Sequence, residues 1–149
     1  MQPSTTQIDR GCGVLLASGV GDALGAGYEF DRAPYDGWPA MIGGGLGNFA
    51  PGEWTDDTAQ AIAIATVAAT GADLRTTEAL DAIAADFAMW FADDPSDVGM
   101  QTRHVLGLAG RHATAAEMAA AAQTVHTRSG GRSACHGSLM RTAPVPLAH

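Results

Sequence analysis

Lysine is absent from this chain, and all eight basic residues are arginine. Catalysis through a lysine Schiff base and phosphate binding through a P-loop lysine are therefore excluded. Cysteine is nearly absent as well. Cys12 and Cys135 stand far apart, and neither belongs to a CxxC or Cys/His pair, so a zinc site or a disulfide framework lacks its residues. Both read as small buried hydrophobes in a reducing compartment. Positive charge is scarce: eight basic residues face sixteen acidic ones, a formal net charge of −8. That balance argues against a nucleic-acid groove and against docking on an anionic membrane. No apolar run reaches membrane-spanning length, and Met1 to Thr6 is polar, without the basic-then-apolar pattern of an export leader. The expectation is a cytoplasmic protein that binds neither nucleic acid nor membrane.

What is abundant is alanine and glycine. Hydrophobic residues make up 46% of the 149 positions against 16% charged, enough to bury a core in one domain covering residues 1–149. Helical spacing recurs along the chain. Ile8, Cys12, Leu15, Leu16, Val20 and Leu24 fit one helix in the stretch from Ile8 to Phe30. The interspersed Gly11, Gly13, Gly19, Gly21 and Gly25 cost helix stability and point to neighbours that pack closely. This reads as a central helix delivering Asp22 and then Glu29 to one end. Arg32 to Pro51, with Pro34, Pro39, Pro51 and Gly43-Gly44-Gly45-Leu46-Gly47, is a long loop.

A second helix is expected over Thr55 to Ala69, with Ile62, Ile64 and Val67 as core and Gly71 as its stop. Being apolar nearly all round, it should lie inside. Thr76 or Thr77 caps a third helix through Leu80, Ile83, Phe87, Met89, Trp90 and Phe91, closed by Asp94-Pro95. Asp97 can cap a fourth, running to about Arg111. His104 and His112 lie too far apart for a zinc-binding HExxH helix. Thr114-Ala115-Ala116-Glu117 is a capping box opening a fifth helix to about Thr127. Five helices and no convincing strand define an all-α fold.

The chemistry concentrates in Gly52-Glu53-Trp54-Thr55-Asp56-Asp57-Thr58. Adjacent carboxylates between threonine hydroxyls form a cluster of hard oxygen donors at a helix N-terminus, suited to Mg²⁺ with several retained waters. The same residues also make an ordinary cap with acids complementing the helix dipole. Near the other end, Ser129-Gly130-Gly131 breaks the chain ahead of Ser133-Ala134-Cys135-His136-Gly137-Ser138, a small-residue turn that can offer backbone N–H groups to an anion or simply cap a helix.

Four segments in order carry a resemblance: Gly21-Asp22-Ala23-Leu24-Gly25 with Glu29; Trp54-Thr55-Asp56-Asp57-Thr58; Asp97-Val98-Gly99 with Thr102-Arg103; and Gly137-Ser138-Leu139-Met140-Arg141 with Ala143-Pro144. Together they resemble the ADP-ribosylglycohydrolase family, from about Ile8 to Leu147. The resemblance implies a multi-helical orthogonal bundle around a binuclear Mg²⁺ or Mn²⁺ site. It implies hydrolysis of the N- or O-glycosidic bond of an ADP-ribosylated protein, such as ADP-ribosyl-arginine, by a metal-bound water. Thr55, Asp56, Asp57 and Glu29 would be the metal residues; Glu29, Asp56, Asp57 and Asp97 would carry catalysis. Asp97, Gly99, Ser133, Cys135, His136, Gly137 and Ser138 would contact ADP-ribose.

Two departures accompany the match. Cys135-His136-Gly137 stands where relatives have Gly-Asn-Gly, and no Asp-x-Asp-Thr segment follows Asp97, beyond which Glu117 is the only acid. The resemblance is thus to an N-terminal half. It implies a complementary C-terminal half, or self-association, to cover the core and complete the ligand set. The alternatives are a non-catalytic ADP-ribose or nucleotide-binding protein, and a half-domain serving assembly.

Overall fold

The first helix begins where Ser4 accepts from the Gln7 backbone N–H at 3.3 Å while the Gln7 side chain accepts from the Ser4 N–H at 2.8 Å, a reciprocal cap. From there α1 spans Thr5–Gly25 in the computed structural model, which describes residues 3–30 and 37–148. The first part of the expected Arg32–Pro51 loop, residues 32–36 with Pro34, lies outside the described residues, as do Met1, Gln2 and His149. The helices α2 (Asp56–Ala69), α3 (Thr77–Ala92), α4 (Met100–Ala109) and α5 (Ala115–Arg128) follow, with single 3₁₀ turns at His136–Ser138 and Val145–Leu147. Among the described residues the only extended pairing is an isolated bridge between Gly44 and Phe49, so the chain is all-α. None of the described helices is long and apolar enough to cross a membrane.

Capping chemistry sets most boundaries. The Thr55 hydroxyl accepts from the Asp57 N–H at 3.4 Å, that of Thr76 from Ala79 at 3.3 Å, and Thr114 with Glu117 forms the expected box. Gly71, at φ +80°, follows the end of α2 in the left-handed region that glycine enters at little cost. The fourth helix departs from expectation. Its N-cap is Gly99 and no side chain caps it, so Asp97 is freed from that role. The Gly99 N–H lies 3.4 Å from Asp56 Oδ2.

Packing runs in sequence: α2 lies against α1 and α3, α3 against α4 and α5, and α4 against α5, while the Val145–Leu147 turn returns to α2. One core cluster joins Ala84, Ala88, Leu106, Ala113 and Met118; another joins Ile64, Val67, Leu74 and Ala79. Phe87 packs against both, so one aromatic ring bridges the halves of the core. Alanine at so many contact positions lets the helix backbones approach closely.

Three further expectations fail. The first helix is not central: Ala23 is its one buried residue, and Ile8, Leu15, Leu16 and Val20 are exposed, Leu16 at 69%. Its glycines are not required by close packing: an added Cβ would make ordinary contact with Thr58 Cγ2 at 3.5 Å from Gly19 and with Leu147 Cδ2 at 3.7 Å from Gly11, while Gly13, Gly21 and Gly25 face open space. The second helix is buried on one face only, since Ile64 and Val67 are inside while Ile62 is 46% exposed. Cys12 and Cys135 are both exposed free thiols, Cys12 because it sits on the uncovered face of α1.

The glycine-rich loop has a packing role. A Cβ on Gly45 would lie 2.1 Å from the Ala26 carbonyl oxygen, and one on Gly27 would lie 2.4 Å from that of Gly43. Bare backbone lets this loop rest on the turn that follows α1.

The α1–α2 junction is held by one side chain. Asp22 Oδ2 accepts from the backbone N–H groups of Thr55 and Thr58, each at 3.0 Å, and Oδ1 accepts the Thr55 hydroxyl at 2.8 Å. A carboxylate on α1 thereby satisfies the free N-terminal donors of α2. Asp22→Ala is expected to lower the free energy of unfolding by about 3 kcal/mol, measured by urea denaturation, since bonds to a charged acceptor are lost together.

Candidate active site

Because Asp22 and Thr55 do the capping of α2, Asp56 and Asp57 in its first turn are free of that task, Asp56 buried and Asp57 half-buried. Both line a cleft of about 640 Å³, together with Glu29 from the turn after α1 and Asp97 from the α3–α4 connection. Gly99, Ser133, Cys135, His136 and Gly137 line it too. Nine of the eleven residues singled out as metal, catalytic or substrate positions line this one cleft. The two remaining residues sit differently. Thr55 is buried with its hydroxyl bonded to Asp22, and Ser138 lines a neighbouring cavity of about 530 Å³ walled by Leu80, Ile83, Phe87, Val105 and Met118.

The carboxylates perturb one another. Burial pushes the Asp56 carboxyl up from its ordinary 3.8 to about 6; the Gly99 N–H opposes that, and Asp97, Asp57 and Glu29 reinforce it. Asp57 is raised by burial first and then by Asp22, with His136 pulling the other way. Glu29 is raised by burial, then by Asp97 and Asp57, again against His136. Three acids are therefore held above their usual range in a cleft that, among the described residues, Arg132, His104 and His136 also line.

Whether a cation fits this cluster is a question of its donor set. Among the described residues no three His, Cys, Asp or Glu groups come together closely enough to cage a metal ion by themselves. The donors are hard oxygens, which fits Mg²⁺ or Mn²⁺ held through one or two carboxylates with water completing the shell, and does not fit tetrahedral zinc. Gln101, which lines both cavities, keeps a buried side-chain oxygen without a protein partner, an acceptor open to a ligand N–H or O–H.

Sequence reasoning missed two residues behind the carboxylates. Gln60, 1% exposed, donates through Nε2 to Asp56 Oδ2 at 3.3 Å, and Arg141 Nη1 donates to Gln60 Oε1. The i, i+4 spacing of Asp56 and Gln60 on one helix was the available signal for the first; nothing local linked Arg141 to α2.

The raised acids have a consequence for pH. A carboxyl whose pKa rises on folding favours the native state while protonated, so its contribution declines as pH climbs through the window from 3.8 to about 6 for Asp56. Without added divalent metal, the melting midpoint is expected to be higher near pH 5 than near pH 7, and the difference to shrink in Asp56→Asn; thermal scans at both pH values check this.

A family model described as ADP-ribosylglycohydrolase matches residues 3–149. The ADP-ribosyl-[dinitrogen reductase] glycohydrolase of Rhodospirillum rubrum is 37% identical over 102 residues, covering 64% of this chain and 33% of that relative. The ADP-ribosylarginine hydrolase Tri1 of Pseudomonas putida (strain GB-1) is 43% identical over 58 residues, 39% of this chain and 16% of the relative. Its namesake in Serratia proteamaculans (strain 568) is 40% identical over 65 residues, 42% of this chain and 17% of the relative. The matches thus span a third or less of each relative's length. With a family model covering nearly every residue and the all-α fold in place, this chain belongs to the ADP-ribosylglycohydrolase family.

Proposed function

We propose that the carboxylate cleft hydrolyses the glycosidic bond between ADP-ribose and an acceptor side chain such as arginine on a modified protein, using Mg²⁺ or Mn²⁺. The observation that carries this reading is the meeting of Glu29, Asp56, Asp57 and Asp97, from three separate segments, around one cleft. The names of the relatives supply the substrate class.

Asp56 and Asp57 would hold the cation, with Glu29 nearby to orient its water; Thr55 contributes by fixing, through Asp22, the turn that carries both aspartates. A bound cation would supply polarisation of the ribose hydroxyls and a water of lowered pKa. The rest is done by the chain. Cleavage adds water across the C1′–N bond, giving ADP-ribose and the free guanidine, and it builds positive charge on the ribose ring. The negative wall of Asp97, Asp57 and Glu29 stabilises that charge. Glu29, raised by burial and its acidic neighbours, is suited to take the proton of the attacking water. Arg132, on the same cleft, offers a cationic partner for the diphosphate, and His136 a ring nitrogen for hydrogen bonding.

The exposed apolar residues of α1 and Ile62 of α2 suit coverage by a complementary polypeptide segment or a second copy of this chain. Gel filtration tests this, with a species larger than one chain, or one that forms on adding the complement, expected. A second reading, ADP-ribose binding without turnover, is favoured by the lack of a three-acid cage among the described residues. Calorimetry with ADP-ribose separates the two, because binding indifferent to Mg²⁺ supports the second.

The deciding experiment follows release of ADP-ribose from ADP-ribosyl-arginine by the natural polypeptide that carries these residues. Release is expected with Mg²⁺ or Mn²⁺, to cease with chelator, and to fall by about 10²–10³-fold in Asp57→Asn. Metal-independent release, or an unaffected variant, would discard the proposal.

A further inference from the structure

Gln60 sits wholly inside the protein, and both ends of its amide are occupied. Its oxygen faces Arg141 and its nitrogen faces Asp56. This polarity is forced. A guanidinium only donates, so it can meet the amide solely at the carbonyl oxygen, which turns the NH₂ group toward α2's first turn. There it finds Asp56 Oδ2, which also lies 3.4 Å from the Gly99 N–H. Both of these bonds fall on the same carboxylate oxygen of a residue that lines the cleft.

Arg141 itself is set firmly. Its guanidinium lies 5.0 Å from the Phe87 ring centroid, on the aromatic residue that bridges both core clusters. Burial pulls its pKa below the usual arginine value while Cys135 and Asp56 oppose that, and it stays protonated at any working pH. The core thus holds Arg141, Arg141 holds Gln60, and Gln60 holds Asp56.

We propose that Arg141 and Gln60 are positioning residues for the active-site carboxylate, a relay in which Arg141 fixes the Gln60 amide and the amide fixes Asp56 through its Oδ2. The inference rests on the cation reading above only through its choice of probe. Outer partners that orient a ligating carboxylate typically change metal affinity by about 10–100-fold.

Two measurements test it. In the first, Mn²⁺ affinity is read from free-ion electron paramagnetic resonance for the wild type, Gln60→Met, Arg141→Met and the double variant, with melting midpoints recorded alongside. Each single variant is expected to bind Mn²⁺ about tenfold or more weakly, and the double variant no more weakly than Gln60→Met, because Arg141 acts through Gln60. Effects that multiply, or an unchanged affinity, would overturn the relay. The second measurement needs no metal and no stable variant. In the nitrogen-15 spectrum of the wild type, the Gln60 side-chain NH₂ protons are expected to exchange slowly with solvent, as a bonded, buried amide must. Rapidly exchanging Gln60 protons would overturn the relay even if all variants unfold. Should the wild type bind no Mn²⁺ while its Gln60 amide is protected, the cation reading falls and the relay stands.

Discussion

Everything at the active end of this molecule depends on one carboxylate that takes no part in lining the cleft. Asp22, from the last turns of α1, accepts the N-terminal donors of α2 and the hydroxyl of its cap residue. A helix that starts with two aspartates would ordinarily use them to complement its own positive end. By taking over that task, Asp22 releases Asp56 and Asp57 toward the cleft, and it sets the distance between α2 and the turn carrying Glu29. The glycine-rich loop supports the same turn from the other side, where Gly45 and Gly27 leave no room for a side chain.

The result is an electrostatic arrangement that the fold holds against its own preference. Acids buried side by side resist ionisation, and Asp56 at about 6 records the cost. Cationic residues are not spread evenly around them. Arg141 approaches from behind, through Gln60, while among the described residues the front of the cleft has Arg132 and two histidines. The unbalanced side is the side open to ligand, which is where a divalent ion and a developing ribose cation would be welcome.

Much of this was readable along the chain where local chemistry decides. Thr55, Thr76 and Thr114 cap helices because a hydroxyl reaches the free N–H groups two or three residues on, and Gly71 ends α2 through its positive φ. The order of short motifs gave the family, because three of the four join a backbone geometry to an acid and the fourth follows them at the expected place. Burial was harder. Periodicity shows which residues of α1 share a face, yet whether that face is covered depends on neighbours elsewhere in the chain, and Leu16 and Val20 meet solvent instead. Cys12 follows from the same misjudgement. Asp97 looked like a cap because caps are local; it is not one, since the chain enters α4 through Gly99, whose N–H points at Asp56.

The amino-acid order by itself determined the helices, the identity of the acids and the family, since these follow from spacing of a few residues and from short-range capping bonds. Only the tertiary structure decided which acids face one another, because Asp22 and Thr55 are 33 positions apart, Asp56 and Gly99 are 43 apart, and Gln60 and Arg141 are 81 apart. Contacts across such separations arise from how helices pack, and a hydrogen bond leaves no mark on the sequence until packing brings its two ends within 3 Å or so.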